Sequence, residues 1–140
     1  MSITSRIDNI THIKEEYQQA KPPCPRSVKI ELTGRCNYRC GFCALRMRDC
    51  QPTKDEDMDL DFFKKITREM HESGVEEIGL FYLGESLMNA PLTVAACDYL
   101  KHELGMEYVF LTTNGSLLTE QIAHSLPTPV DTAPMARRFQ

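Results

Sequence analysis

Val28-Lys29-Ile30-Glu31-Leu32-Thr33-Gly34-Arg35-Cys36-Asn37-Tyr38-Arg39-Cys40-Gly41-Phe42-Cys43 is the stretch that decides the fold. Val28, Ile30 and Leu32 alternate with Lys29, Glu31 and Thr33, the period of a strand with one apolar and one polar face. Gly34 breaks the pattern, and a loop with three cysteines begins directly afterwards. Downstream, polar residues from Gln51 to Asp57 lead to a helix capped by Asp59. Phe62, Phe63, Ile66 and Met70 form its apolar stripe, and Gly74 is placed to stop it. Glu77 to Leu83 reads as a second strand. Pro91 starts a helix to about Leu104, with Leu92, Ala96, Leu100 and Leu104 on one face and Gly105 at its end. Tyr108 to Thr112 reads as a third strand, Asn114-Gly115 as a turn, and Thr119 as the cap of a short helix to Ser125.

Strand and helix thus alternate, which argues for an α/β fold with a parallel sheet and right-handed crossovers. Ligands of such folds gather at the carboxyl ends of the strands. The cysteine loop, Gly84-Glu85 and Asn114-Gly115 each follow a strand, so they are expected on one rim.

Cys36, Cys40 and Cys43 form a C-x3-C-x2-C triplet. Three thiolates this close can hold three irons of a four-iron, four-sulfur (4Fe-4S) cluster and leave the fourth iron open. A ferredoxin, which only moves electrons, uses four cysteines. An open position points to chemistry, as it does in zinc sites. The competing reading is a non-enzymatic module in which Cys50 closes a four-cysteine zinc site or structural cluster. Zinc sites usually come as two separated C-x2-C pairs, so the open cluster is favoured. Cys24, Cys50 and Cys97 otherwise read as bland, Cys97 as a small buried hydrophobe beside Ala95 and Ala96. His12, His71, His102 and His124 lie on helical segments and are given no metal role.

The triplet and its flanks, Leu32-Thr33-Gly34-Arg35-Cys36-Asn37-Tyr38-Arg39-Cys40-Gly41-Phe42-Cys43, resemble the radical S-adenosylmethionine (radical SAM) superfamily. The wording is most similar to the group that includes molybdenum-cofactor and quinone-cofactor biosynthesis enzymes and peptide maturases. The resemblance implies that the open iron chelates S-adenosylmethionine, whose reductive cleavage gives a 5′-deoxyadenosyl radical that takes hydrogen from a substrate. It implies Phe42 near the adenine. Leu83-Gly84-Glu85-Ser86 is similar to the family's Gly-Gly-Glu-Pro motif, with Leu83 and Ser86 as departures; Gly84 and Glu85 would hold the cofactor's amino group. Thr112-Thr113-Asn114-Gly115 resembles the ending of the family's third strand, which brings Thr113 or Asn114 to the cofactor. The implied fold is an incomplete (β/α) barrel of about three parallel strand–helix units. Implied partners are a flavodoxin- or ferredoxin-type electron donor and a peptide or small-metabolite substrate.

Residues 3–20 carry Ile3, Ile7, Ile10, Ile13 and Tyr17 at helical spacing, ended by Pro22-Pro23-Cys24-Pro25. The chain therefore divides into an N-terminal helix and connector (1–25), a partial radical SAM core (26–126) and an irregular tail (127–140). In the tail Pro127, Pro129 and Pro134 argue against a fourth strand. Three units leave a sheet edge and an inner face uncovered. The expectation is an N-terminal fragment of a longer enzyme, or a chain that needs a partner to complete the barrel; a truncated, inactive chain acting through a partner is the further alternative. The 16 basic and 20 acidic residues give a net charge of −4, so no nucleic-acid footprint is expected. No apolar stretch suits a membrane, and no signal peptide is visible, so a cytoplasmic location is expected. Arg35, Arg39, Arg46 and Arg48 surround the cysteine loop and would balance its charge, hold an anion or dock an acidic donor.

Overall fold

The computed structural model describes residues 15–50, 52–127 and 131–134. Four strands form one sheet in the order β1-β2-β3-β4: β1 (Ser27–Lys29), β2 (Glu77–Leu80), β3 (Tyr108–Thr113) and β4 (Asp131–Pro134). Every neighbouring pair is parallel, with Val28 opposite Ile78, Ile78 opposite Val109 and Leu111 opposite Thr132. Three helices fill the crossovers: α1 (Leu60–Glu72), α2 (Ala90–Asp98) and α3 (Glu120–Ser125). This is the expected incomplete (β/α) barrel of three strand–helix units.

One correction concerns the tail. The prolines at 127, 129 and 134 argued for an irregular segment, yet Asp131–Pro134 pairs with β3 as a fourth strand. Proline lacks an N–H, but Pro134 is the strand's last residue, and β4 is the outermost strand among the described residues. A proline at an edge costs no ladder bond on its open side. The N-terminal helix expected over 3–20 lies mostly outside the described residues; within them, Glu15–Tyr17 forms a short 3₁₀ turn.

The sheet's helix-facing side is aliphatic. Ile30, Leu32, Ile78, Leu80, Val109 and Leu111 join Phe63, Ala96, Cys97 and Leu100 in one buried core. Asp59 caps α1 as expected, accepting from the Phe62 N–H at 2.9 Å. The stripe of α1 is displaced from the expected one: Phe62 is exposed, and Thr67 is buried in its place. Thr67 tolerates burial because its hydroxyl donates to the Phe63 carbonyl at 2.8 Å. Gly74 stops the helix with φ of 101°. The second helical stretch runs to its C-cap at Leu104, as expected, but changes pitch on the way. After Asp98 the helix widens into a π-helical turn over Tyr99–Glu103, and the Met106 N–H bonds back to the Leu100 carbonyl at 2.8 Å. Gly105, at φ of 71°, makes that reversal possible.

The opposite side of the sheet is different. The Lys29 ammonium lies 5.1 Å over the Phe81 ring, and Phe81, Phe110 and Tyr108 follow at 5.5 Å centroid spacings. Gly79 lets these rings close over the strand, since a Cβ there would stand 2.7 Å from the Phe110 ring. No helix of the described residues is long and apolar enough to cross a membrane.

Candidate functional site

Backbone geometry starts the site. The strand at Ile30 still pairs with β2, its N–H donating to the Gly79 carbonyl at 2.8 Å, and the chain then rises past Thr33 into the cysteine loop. Gly84, arriving from β2, meets that rise directly. A Cβ on Gly84 would lie 2.1 Å from the Thr33 carbonyl oxygen and 3.0 Å from that of Arg35. The Glu85 N–H donates to the Arg35 carbonyl at 2.8 Å. Gly84 is therefore needed for a close contact between two backbone segments of the chain. Glu31 secures the same junction: its carboxylate accepts from the N–H groups of Leu83 (2.8 Å) and Gly84 (2.6 Å).

Glu85 is the hub between the second and third strands. It is 2% exposed. One carboxylate oxygen accepts from the Thr113 hydroxyl at 2.6 Å and the Leu87 N–H at 3.0 Å; the other accepts from the Asn114 N–H at 2.6 Å. Such a cage satisfies a buried carboxylate that would otherwise be costly. Asn114 continues the chain of contacts. Its side-chain amide donates to Asn37 at 2.9 Å, and Asn37 donates to the Ser116 hydroxyl at 2.7 Å. Asn37 sits between Cys36 and Cys40, so the third strand's turn reaches into the cysteine loop.

All three rim segments therefore meet, as their positions after strands led one to expect. Cys36, Cys40 and Cys43 are all half-buried in the loop. The Cys43 N–H bonds to the Cys40 carbonyl at 3.0 Å, which folds the second and third cysteines into one turn. The Tyr38 N–H approaches the Cys36 sulfur at 3.5 Å. Burial pushes the Cys36 thiol above its ordinary value, opposed by that N–H; the charges of Glu85, Cys40 and Cys43 push it further up. Three thiols beside a buried carboxylate repel one another once ionised. The donor set thus suits a multiply charged cation of soft character, which fits an iron–sulfur group. Among the described residues no three His, Cys, Asp or Glu side chains converge as a single bound ion would require. Cys50 is exposed, beyond the 3₁₀ turn Ala44–Met47. Phe42 is 73% exposed beside Cys43.

A model of the Radical SAM superfamily matches residues 30–132. The chain belongs to the radical SAM superfamily. It is 30% identical over 118 residues to the S-adenosylmethionine-dependent nucleotide dehydratase RSAD2 of Danio rerio, covering 83% of this chain and 31% of that protein. It is 32% identical over 95 residues to the GTP 3',8-cyclase of Chlorobaculum tepidum, covering 68% of this chain and 27% of the cyclase. The radical SAM chain described here thus spans about a third of the length of these relatives. Its fold is similar to that of BtrN, solved in complex with AdoMet and 2-DOIA, with a TM-score of 0.56 and 18% identity over 71% of this chain and 40% of that one.

Sequence reasoning missed the roles of several side chains around the cysteine loop. Arg35 was read as one of several loop arginines; it is instead buried, its guanidinium paired with Asp57 through Nε–Oδ1 (3.1 Å) and Nη2–Oδ2. Asp57, read as part of a polar connector, also accepts from Asn89 at 2.9 Å. Burial pulls the Asp57 carboxyl up, but hydrogen bonds from Arg35, Thr33 and Asn89 outweigh it and hold the group below its ordinary value. Arg48 donates to the Gly34 carbonyl at 2.9 Å. The side chain of Arg46 lies outside the described residues. Glu31 and Asn37 gave no spacing signal: each acts on a segment more than fifty positions away.

Proposed function

We propose that this chain is the cofactor-binding part of a radical SAM enzyme, in which Cys36, Cys40 and Cys43 hold a 4Fe-4S cluster with one iron open to S-adenosylmethionine. The observation that carries the reading is the hydrogen-bonded junction of three strand-end loops beside the triplet, in a chain of this superfamily. When bound, the cluster supplies the electron that splits S-adenosylmethionine into methionine and a 5′-deoxyadenosyl radical.

The chain's own residues bind and orient. The three thiolates ligate iron. An ionised carboxylate offers about four acceptor sites. Glu85 uses three on Thr113, Leu87 and Asn114, which leaves one for the cofactor's ammonium. The Gly84 turn and Asn114 would form the walls beside it, and Phe42 would pack near the adenine. The remaining barrel wall, from further strands or a partner chain, covers the Lys29–Phe81–Phe110–Tyr108 face and excludes water. A flavodoxin- or ferredoxin-type donor delivers the electron, and a peptide or small metabolite gives up the hydrogen.

The test is electron paramagnetic resonance on the anaerobically reconstituted, dithionite-reduced chain, with and without S-adenosylmethionine. The expected result is a reduced-cluster signal that changes when the cofactor is added. Cys36→Ala, Cys40→Ala or Cys43→Ala should abolish it, and Cys50→Ala should not. Loss of metal in Cys50→Ala would overturn the open-cluster assignment in favour of a four-cysteine module.

A further inference from the structure

Arg35 precedes Cys36 directly, and each of its polar groups is engaged by a different part of the chain. Its N–H donates to the Thr33 hydroxyl at 3.3 Å, and its carbonyl accepts from the Glu85 N–H at 2.8 Å. Its guanidinium holds Asp57 in a two-pronged pair whose side chains are 9% and 5% exposed. Asp57 in turn accepts from Asn89, and the Asn89 side-chain oxygen Oδ1 caps α2 by accepting from the Leu92 N–H at 3.3 Å. A continuous, partly buried chain of hydrogen bonds thus runs from the first cysteine through the segment before α1 to the start of α2. The same helix follows the Gly84–Glu85 turn. The cysteine loop and that turn are therefore referenced to one rigid body.

We propose that Arg35, Asp57 and Asn89 are positioning residues that fix Cys36 against the Gly84–Glu85 turn, and that the Arg35–Asp57 pair keeps the charge beside the cluster neutral. This rests on the function proposed above for its cluster but not for its geometry. A flexible loop would let the triplet drift relative to Glu85. The two-pronged guanidinium–carboxylate bond restricts both distance and plane, which a lysine cannot do. Groups that orient a metal ligand from behind typically alter affinity or activity by 10- to 100-fold when removed. The carboxylate also cancels a buried guanidinium one residue from a cluster ligand. Net charge near an iron–sulfur group is one of the levers on its potential.

Two experiments separate the geometry from the cofactor. The first is hydrogen–deuterium exchange on the full chain without cluster. Asn89→Ser keeps a capping hydroxyl for α2 but loses the bond to Asp57; Arg35→Lys keeps the charge but loses the fork. Both should speed amide exchange in residues 36–43 and 84–87 by about tenfold, with β2 and β3 unchanged. Thr119→Ala, which removes the cap of α3 only, should leave 36–43 at the wild-type rate. Wild-type exchange at 36–43 in both variants, or equal loosening by Thr119→Ala, would overturn the positioning role. The second is the midpoint potential of the reconstituted cluster. Asp57→Asn should raise it, because the guanidinium loses its counter-charge, and Thr119→Ala should not. Equal potentials in the two would overturn the charge role. A wild-type chain that takes up no cluster would count against the proposed function, while the exchange result would stand.

Discussion

The base and the tip of the cysteine loop are held by bonds of similar length in different surroundings. At the base, Arg35 and Asp57 are almost wholly out of solvent, and Gly84 lies against backbone. At the tip, Asn37, Asn114 and Ser116 share bonds of 2.7–2.9 Å on exposed side chains. Water competes freely for the bonds at the tip and has little access to those at the base. An exposed neutral bond contributes little net stability, whereas a buried charged group stripped of its partner bears the full cost of desolvation. The difference teaches which end anchors the loop and which end only trims its orientation.

The comparison can be broken by substitution at either end. The largest effect is expected from Asp57→Ala, which strands the Arg35 guanidinium in the interior; roughly 3–5 kcal/mol of stability should be lost in a denaturant titration. Gly84→Ala comes next. Its methyl would meet the Thr33 carbonyl oxygen, and a loss of about 3 kcal/mol with increased exchange in the cysteine loop is expected. Glu85→Gln places an amide where the Thr113, Leu87 and Asn114 donors converge, so one donor is orphaned at a cost of roughly 1–3 kcal/mol. Asn37→Ala, at the tip, should cost no more than about 0.5 kcal/mol. A tip variant that destabilised as much as Asp57→Ala would refute the contrast.

Acid sharpens the same point. The folded Asp57 carboxyl lies below its ordinary value of 3.8. Its contribution is therefore fully present above that value and is lost as pH falls through the lower, folded one. In denaturant titrations from about pH 6 to about pH 2, the wild-type chain should lose stability more steeply on acidification than Asp57→Asn does. Parallel slopes would mean that the pair does not stabilise the base.

Legibility in the sequence followed the range of the interaction. The caps at Asp59 and Thr119 were readable because the partner N–H lies three residues on. The order of strands and helices was readable from periodicity, and the triplet from its spacing. The stripe of α1 was misjudged at Phe62 because a threonine that bonds its own helix backbone can take a core position. The fourth strand was missed because prolines were weighed without knowing that the strand would lie outermost among the described residues. Arg35 and Asp57 stood 22 positions apart among other charged residues, and nothing local distinguished them.

By itself, the sequence determined that three thiols follow the first strand of a parallel α/β unit, and that two further loops leave their strands at the same rim. Local backbone preference and hydrophobic period are properties of neighbouring residues, so they are written in the chain. Which side chains those loops would exchange was decided only by the tertiary structure. It chose Glu31 for the amides of Leu83 and Gly84, Glu85 for Thr113 and Asn114, and Asp57 for Arg35. The physical reason is burial: a carboxylate takes the donors that remain once water has been excluded, and packing alone determines which donors those are.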